Sequence, residues 1–142
     1  METQQLHRGR LIDHLQLVVR DLPASRRFYE AVFKVLGIPL GGSGDDYLWA
    51  DELFISTATS EAAAGQLTGR HHLAFQAKDR AMIDAFHREA LAAGGKDNGA
   101  PGERKYHPGY YGAFVIDPDG NNIEAVYHGE AKQNVESVVV TF

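Results

Sequence analysis

One segment of this chain is written twice. HLQLVVRDLPASRRFY, from His14, aligns without a gap on HLAFQAKDRAMIDAFH, from His72, pairing His14 with His72, Leu15 with Leu73, Asp21 with Asp79 and Phe28 with Phe86 at one constant offset. A repeat constrains the fold more than composition does, because both copies must build the same supersecondary unit. Each copy reads as a strand followed by a helix. Leu15, Leu17 and Val19 alternate with His14, Gln16 and Val18, and Leu73, Phe75 and Ala77 with His72, Ala74 and Gln76, which is the two-residue period of a sheet with one greasy face. Asp21 and Asp79 stand where an N-cap belongs; Phe28, Val32, Val35 and Leu36, then Ile83, Phe86 and Ala90, supply the apolar stripes of two helices. The greasy strand faces are expected to pack under the helices, which leaves both histidines on the other face.

The likeness continues past each helix into a hairpin. YLWADELFISTA turns at Asp51-Glu52. YYGAFVIDPDGNNIEAVY turns at Asp117-Pro118-Asp119-Gly120, where proline presets the first turn position and glycine supplies positive φ. The stretch from Gly94 to Tyr110, rich in glycine, proline and charge, reads as a long loop in the second half. Residues 60–69 read as the connector between halves, and the chain beyond Gly129 as a tail whose VVVTF is either a strand or an arm onto a neighbour.

Pairing across the DPDG turn sets Asn122, Glu124 and Val126 on one face and Ile123, Ala125 and Tyr127 on the other, so Glu124 shares the side of His72. Matching the hairpins equates Ile55 with Ile123 and Ser56 with Glu124. Four equivalent positions result: His14, Ser56, His72 and Glu124. Should the two halves pair through a pseudo-twofold, these four converge on the concave side of a joint sheet. Two imidazoles and a carboxylate facing one spot are what a divalent cation needs, with positions left for water or substrate. The absence of cysteine leaves imidazole and carboxylate as the donors for any such ion. His71 falls on the opposite face or at the strand start and reads as a non-ligand.

A formal charge of −5 without a Lys/Arg cluster argues against nucleic acid or anionic membrane as partner. No apolar run is long enough to span a bilayer and no leader is evident, so a cytoplasmic location is the expectation. At 142 residues the chain has the length of one domain, with module one at about 11–59, module two at about 70–128 and the tail at 129–142.

IDHLQLVVRD, HHLAF and above all FVIDPDGNNIEAV resemble the βαβββ modules of the vicinal oxygen chelate superfamily, which includes glyoxalase I, extradiol dioxygenases, and fosfomycin and bleomycin resistance proteins. The resemblance implies an α+β fold in which two modules form an eight-stranded, partly open, barrel-like sheet, commonly completed as a homodimer. It also implies a divalent ion (Fe, Mn, Ni, Zn or Mg) held by His14, His72 and Glu124, and a small substrate that chelates it through vicinal oxygens. Glyoxalase I carries a carboxylate where this reading places Ser56; three protein ligands resemble the extradiol and fosfomycin enzymes instead. Lyase or isomerase chemistry and ring cleavage are the enzyme expectations, and a metal-free sequestering protein is the alternative.

Alternation further turns Gln16, Tyr47, Trp49, Phe54, Ala74, Tyr110, Gly112 and Phe114 into the cavity, an aromatic wall suited to an apolar substrate. Of these, Gln16, Tyr47, Trp49, Phe54 and Phe114 are the substrate-binding candidates. Glu124, His107 as general acid/base and Tyr110 as donor to a chelated oxyanion are the catalytic candidates.

Overall fold

The computed structural model describes residues 5–8, 11–63, 65–130 and 138–141. In chain order the elements are β1 (Gln5–Arg8), β2 (Leu15–Val18), α1 (Leu22–Leu36), β3 (Gly42–Ser43), β4 (Tyr47–Ala50), β5 (Leu53–Ser56), a 3-10 turn (Glu61–Ala63), β6 (His72–Gln76), α2 (Arg80–Ala92), β7 (Lys96–Glu103), β8 (Tyr111–Ile116), β9 (Asn122–Tyr127) and β10 (Val138–Thr141). Both expected caps form: Asp21 accepts from the Ala24 N–H and Asp79 from the Met82 N–H. Each cap is worth about 1 kcal/mol to its helix. Apolar residues at helical spacing then bury one face of each helix, with Phe28, Val32, Ile83, Phe86 and Ala90 wholly removed from solvent.

Two βαβββ modules result. Their sheets run in the order β2-β5-β4-β3 and β6-β9-β8-β7, with β2 parallel to β5, β6 parallel to β9 and the remaining pairs antiparallel. The α+β class and the module repeat are as expected. The eight module strands form two four-stranded ladders. Leu17, Leu48 and Ile55 of the first sheet and Ala113, Val115, Ile123 and Ala125 of the second belong to one cluster with both helices. The modules therefore meet back to back, and their histidine-bearing faces turn away from this shared core.

The DPDG turn joins the modules as well as closing its hairpin. Asp117 is buried; it accepts from the backbone of Asp119 and Asn121, from the Asn121 amide and from the Tyr29 hydroxyl of α1. Asp119 accepts from the Arg20 N–H just before α1. Burial and the adjacent Asp117 carboxylate hold the Tyr29 phenol well above the usual tyrosine range.

The stretch expected as a long loop is largely strand. β7 occupies Lys96–Glu103 and pairs with β8 through two register shifts around Gly99. Its Gly/Pro composition marks an edge strand with bulges, a position where proline and glycine are tolerated because one side needs no ladder partner. The tail also resolves: Val138–Thr141 pairs antiparallel with Gln5–Arg8, while the remainder of the 131–142 segment lies outside the described residues. No helix among the described residues is long and apolar enough to cross a membrane.

Candidate functional site

In the second sheet, Glu124 lies opposite Ala74 on one side and Phe114 on the other, and His72 is two pairs along, opposite Asn122. Period-two geometry puts His72, Phe114, Gly112 and Glu124 on the face away from the helices, as the sequence implies. His72 Nε2 is 3.1 Å from Glu124 Oε1. The imidazole is half exposed, whereas Glu124 is only 2% exposed. His72 Nδ1 lies 2.9 Å from the Asn122 carbonyl oxygen, and because a carbonyl can only accept, Nδ1 carries the hydrogen. Phe114 stacks on the imidazole at 5.9 Å, and the Arg104 guanidinium stands 5.4 Å above the Phe114 ring.

The second oxygen of Glu124 accepts from the Tyr110 hydroxyl. Burial first, and then this hydrogen bond, raise the Tyr110 phenol above the ordinary tyrosine range. Space for the carboxylate comes from Gly112, where an added Cβ would stand 2.9 Å from Glu124 Oε2. Beyond Tyr110, His107 Nε2 is 2.9 Å from His128 Nδ1, and both rings pack edge-on against the phenol at 5.3 and 5.5 Å. His107 Nδ1 faces the Pro108 carbonyl. The three catalytic candidates Glu124, Tyr110 and His107 are thus neighbours, although Tyr110 spends its hydroxyl on Glu124. His128 was missed. Extending the Tyr111–Tyr127 pair by one residue puts it beside Tyr110, so strand pairing carried the signal.

The first sheet holds the other candidates. His14 is exposed, bonds Asp13 at 2.7 Å and sets its ring edge on Phe54 at 5.6 Å. Trp49 and Phe54 are opposite in the ladder and stack at 5.4 Å with 13° between planes. Trp49 is nearly buried because Gly41 admits its ring: an added Cβ there would fall 2.1 Å from it. Gln16 faces Phe54, and Tyr47 faces Ser56. Gln16, Tyr47, Trp49 and Phe54 therefore share one face, as alternation requires, but not the face of Phe114, Ala74 and Gly112. The single aromatic wall divides between the two sheets.

The equation of Ser56 with Glu124 fails. Gln16, the repeat partner of Ala74, lies beside Phe54, while Ala74 lies beside Glu124, so Phe54 holds the place of Glu124 and Ser56 that of Val126. Counting from turns of unequal length slipped the comparison by two residues, which preserves the face and changes the neighbours. Ser56 is buried and accepts from the Gln16 amide at 2.8 Å while giving its proton to the Thr57 carbonyl. Nor do the expected ligands gather in one chain: among the described residues no three of His, Asp and Glu are grouped to hold an ion. His72 and Glu124 come together; His14 stays with the other module. A groove of about 850 Å³ along α1, lined by Arg26, Arg27, Glu30 and Lys34, touches none of these residues.

The chemistry of the His72–Glu124 pair suits a cation. With Nδ1 protonated, neutral His72 presents a lone pair at Nε2, and it faces a carboxylate oxygen. Two acceptors at 3.1 Å repel unless a proton or a metal ion stands between them. That separation also suits an imidazole nitrogen and a carboxylate oxygen bound to one ion at about 2.0–2.2 Å each.

A family model described as Glyoxalase/Bleomycin resistance protein/Dioxygenase superfamily matches residues 11–125. A solved glyoxalase/bleomycin resistance protein from Albidiferax ferrireducens T118 is 31% identical, with a TM-score of 0.70, over 82% of this chain and 98% of that one. A glyoxalase-related enzyme from Fulvimarina pelagi is 20% identical with a TM-score of 0.67, over 89% of this chain and 94% of that one. A structure described as lactoylglutathione lyase from Agrobacterium tumefaciens is 20% identical with a TM-score of 0.56, over 80% and 90%. The last two likenesses speak for the fold alone. No curated protein matches the chain.

Proposed function

Since the chain belongs to the glyoxalase/bleomycin resistance protein/dioxygenase superfamily, we propose that it is a metal-dependent enzyme whose small substrate chelates a divalent ion through neighbouring oxygens, with lyase, isomerase or ring-cleaving chemistry. The facing acceptors His72 Nε2 and Glu124 Oε1 carry this reading. A bound ion would act as a Lewis acid, polarising the substrate oxygens and stabilising an enolate or oxyanion.

The chain's own residues supply the rest. The Asn122 carbonyl holds His72 in the tautomer that offers Nε2, and buried Glu124 supplies a negative charge that water screens little. Phe114 gives a flat apolar surface beside the pair, and Arg104 above it draws an anionic substrate. Because the site faces turn away from the common core, His14 reaches the pair in a homodimer, the first sheet of one copy facing the second sheet of the other.

Metal analysis of protein purified without chelator tests the reading. His72→Ala should lose ion at concentrations that saturate the parent and His71→Ala, and sedimentation should report a dimer. Equal loss in both histidine variants, or a parent that takes up no Fe, Mn, Ni, Zn or Mg, ends the proposal. A screen of catechols, α-ketoaldehyde thiol adducts and epoxide antibiotics then separates the reactions.

One observation favours a second reading, a metal-free protein that sequesters a small molecule. Among the described residues no buried side-chain nitrogen or oxygen lacks a partner, and a proton held between His72 Nε2 and Glu124 Oε1 would satisfy the pair as an ion would. Ligand binding indifferent to chelator would identify that class.

A further inference from the structure

Glu124 offers two unequal oxygens. Oε1 faces His72 at 3.1 Å, whereas Oε2 is held by the Tyr110 hydroxyl in a slot that exists because Gly112 has no side chain. Tyr110 is itself fixed. Its N–H donates to the His107 carbonyl, its carbonyl accepts from the Arg104 N–H, and its ring is wedged among Tyr106, His107 and His128 at 4.9, 5.3 and 5.5 Å. Module one has neither partner. There Phe54 replaces the carboxylate, and the ladder positions put exposed Asp45 where module two has Tyr110.

We propose that Tyr110 sets how many oxygens Glu124 gives a divalent ion: the phenol occupies Oε2, so Oε1 alone binds, and the coordination position thereby kept open belongs to the second oxygen of a chelating substrate. The inference rests on the metal reading above. It makes Tyr110 a positioning residue, acting through Glu124 rather than on the substrate. Removing the hydroxyl frees a buried carboxylate oxygen whose nearest compensation is a second bond to the ion. A hard ion that favours many oxygen ligands gains most from that bond; a borderline ion content with four ligands gains little.

The test is competition titration of the full chain with Mn²⁺ and, separately, Zn²⁺, for the parent and Tyr110→Phe. The variant should bind Mn²⁺ about tenfold more tightly while Zn²⁺ affinity stays within about twofold, a change of selectivity that a merely structural role would not produce. Unchanged or weaker Mn²⁺ binding, or equal gains for both ions, overturns the inference while leaving the metal reading intact. A parent that binds neither ion removes both. Should the variant not fold, the parent supplies its own measurement: the metal-minus-apo infrared difference spectrum should show the wide carboxylate splitting of single-oxygen coordination, and the narrow splitting of two-oxygen coordination overturns the proposal.

Discussion

The two modules start from nearly the same plan and finish with different faces. At equivalent ladder positions module one sets His14, Phe54 and Trp49, and module two His72, Glu124 and Phe114. In the first, the aromatic rings stack on each other and the histidine turns to the exposed Asp13. In the second, the carboxylate is buried and the histidine points its second nitrogen at it. A buried carboxylate is costly unless it is hydrogen-bonded or paired. Module two supplies Tyr110, His72 and the bare backbone of Gly112 for that purpose, whereas module one has only the histidine, His14, which is turned to Asp13. The scaffold is common to both halves, while the polar pair occurs in one.

The comparison breaks most visibly if module two is rewritten as module one. Glu124→Phe removes the carboxylate proposed to hold the ion, and metal affinity should fall by more than about a hundredfold, since even outer-shell losses cost about 10–100-fold. Binding retained within tenfold, in the Mn²⁺ titration, would show that Glu124 is not a ligand. The reverse exchange, Phe54→Glu, places a carboxylate beside His14 without a phenol to receive it and undoes the Trp49 stack. Chemical denaturation should record a loss of about 2–4 kcal/mol. A neutral result would mean that module one can house a charge as readily as module two.

The smallest effect is absent at neutral pH. Tyr110 and Tyr29 both hold their protons more tightly folded than unfolded. Their contribution is therefore complete below the unfolded value of about 10 and drains away as pH rises toward the raised folded values. Tyr110→Phe should flatten part of the stability loss above pH 10 and leave the part due to Tyr29, which joins the modules. Identical alkaline profiles for parent and variant would remove Tyr110 from that account.

Much of this was legible in the residues. The constant offset between His14 and His72 implied two like modules; Asp21 and Asp79 marked both helix starts; Asp117 to Gly120 marked the turn. Alternation put His72 and Glu124 on one side. The reading failed where turn length mattered. Phe54, not Ser56, lies level with Glu124 because the Asp51-Glu52 connection and the DPDG connection differ, and alternation cannot see a slip of two. It failed again at β7, whose proline and glycines look like loop until β8 lies beside them. The Tyr110 hydroxyl was expected to face substrate, but a buried carboxylate a short reach away is the stronger acceptor.

By itself the sequence determined what depends on neighbours in the chain: strand phase, helix stripes, caps, turns, and hence which side of its sheet each histidine takes. These follow from backbone geometry over a few residues. Tertiary structure alone decided which residues stand level across each ladder, that the sheets meet back to back through their helices, and that His72 joins Glu124 while His14 remains apart. Those outcomes are set by burial of apolar faces whose partners lie far away in the chain. Leu17 and Val115 enter one core, and that single event turns the two histidine faces away from it.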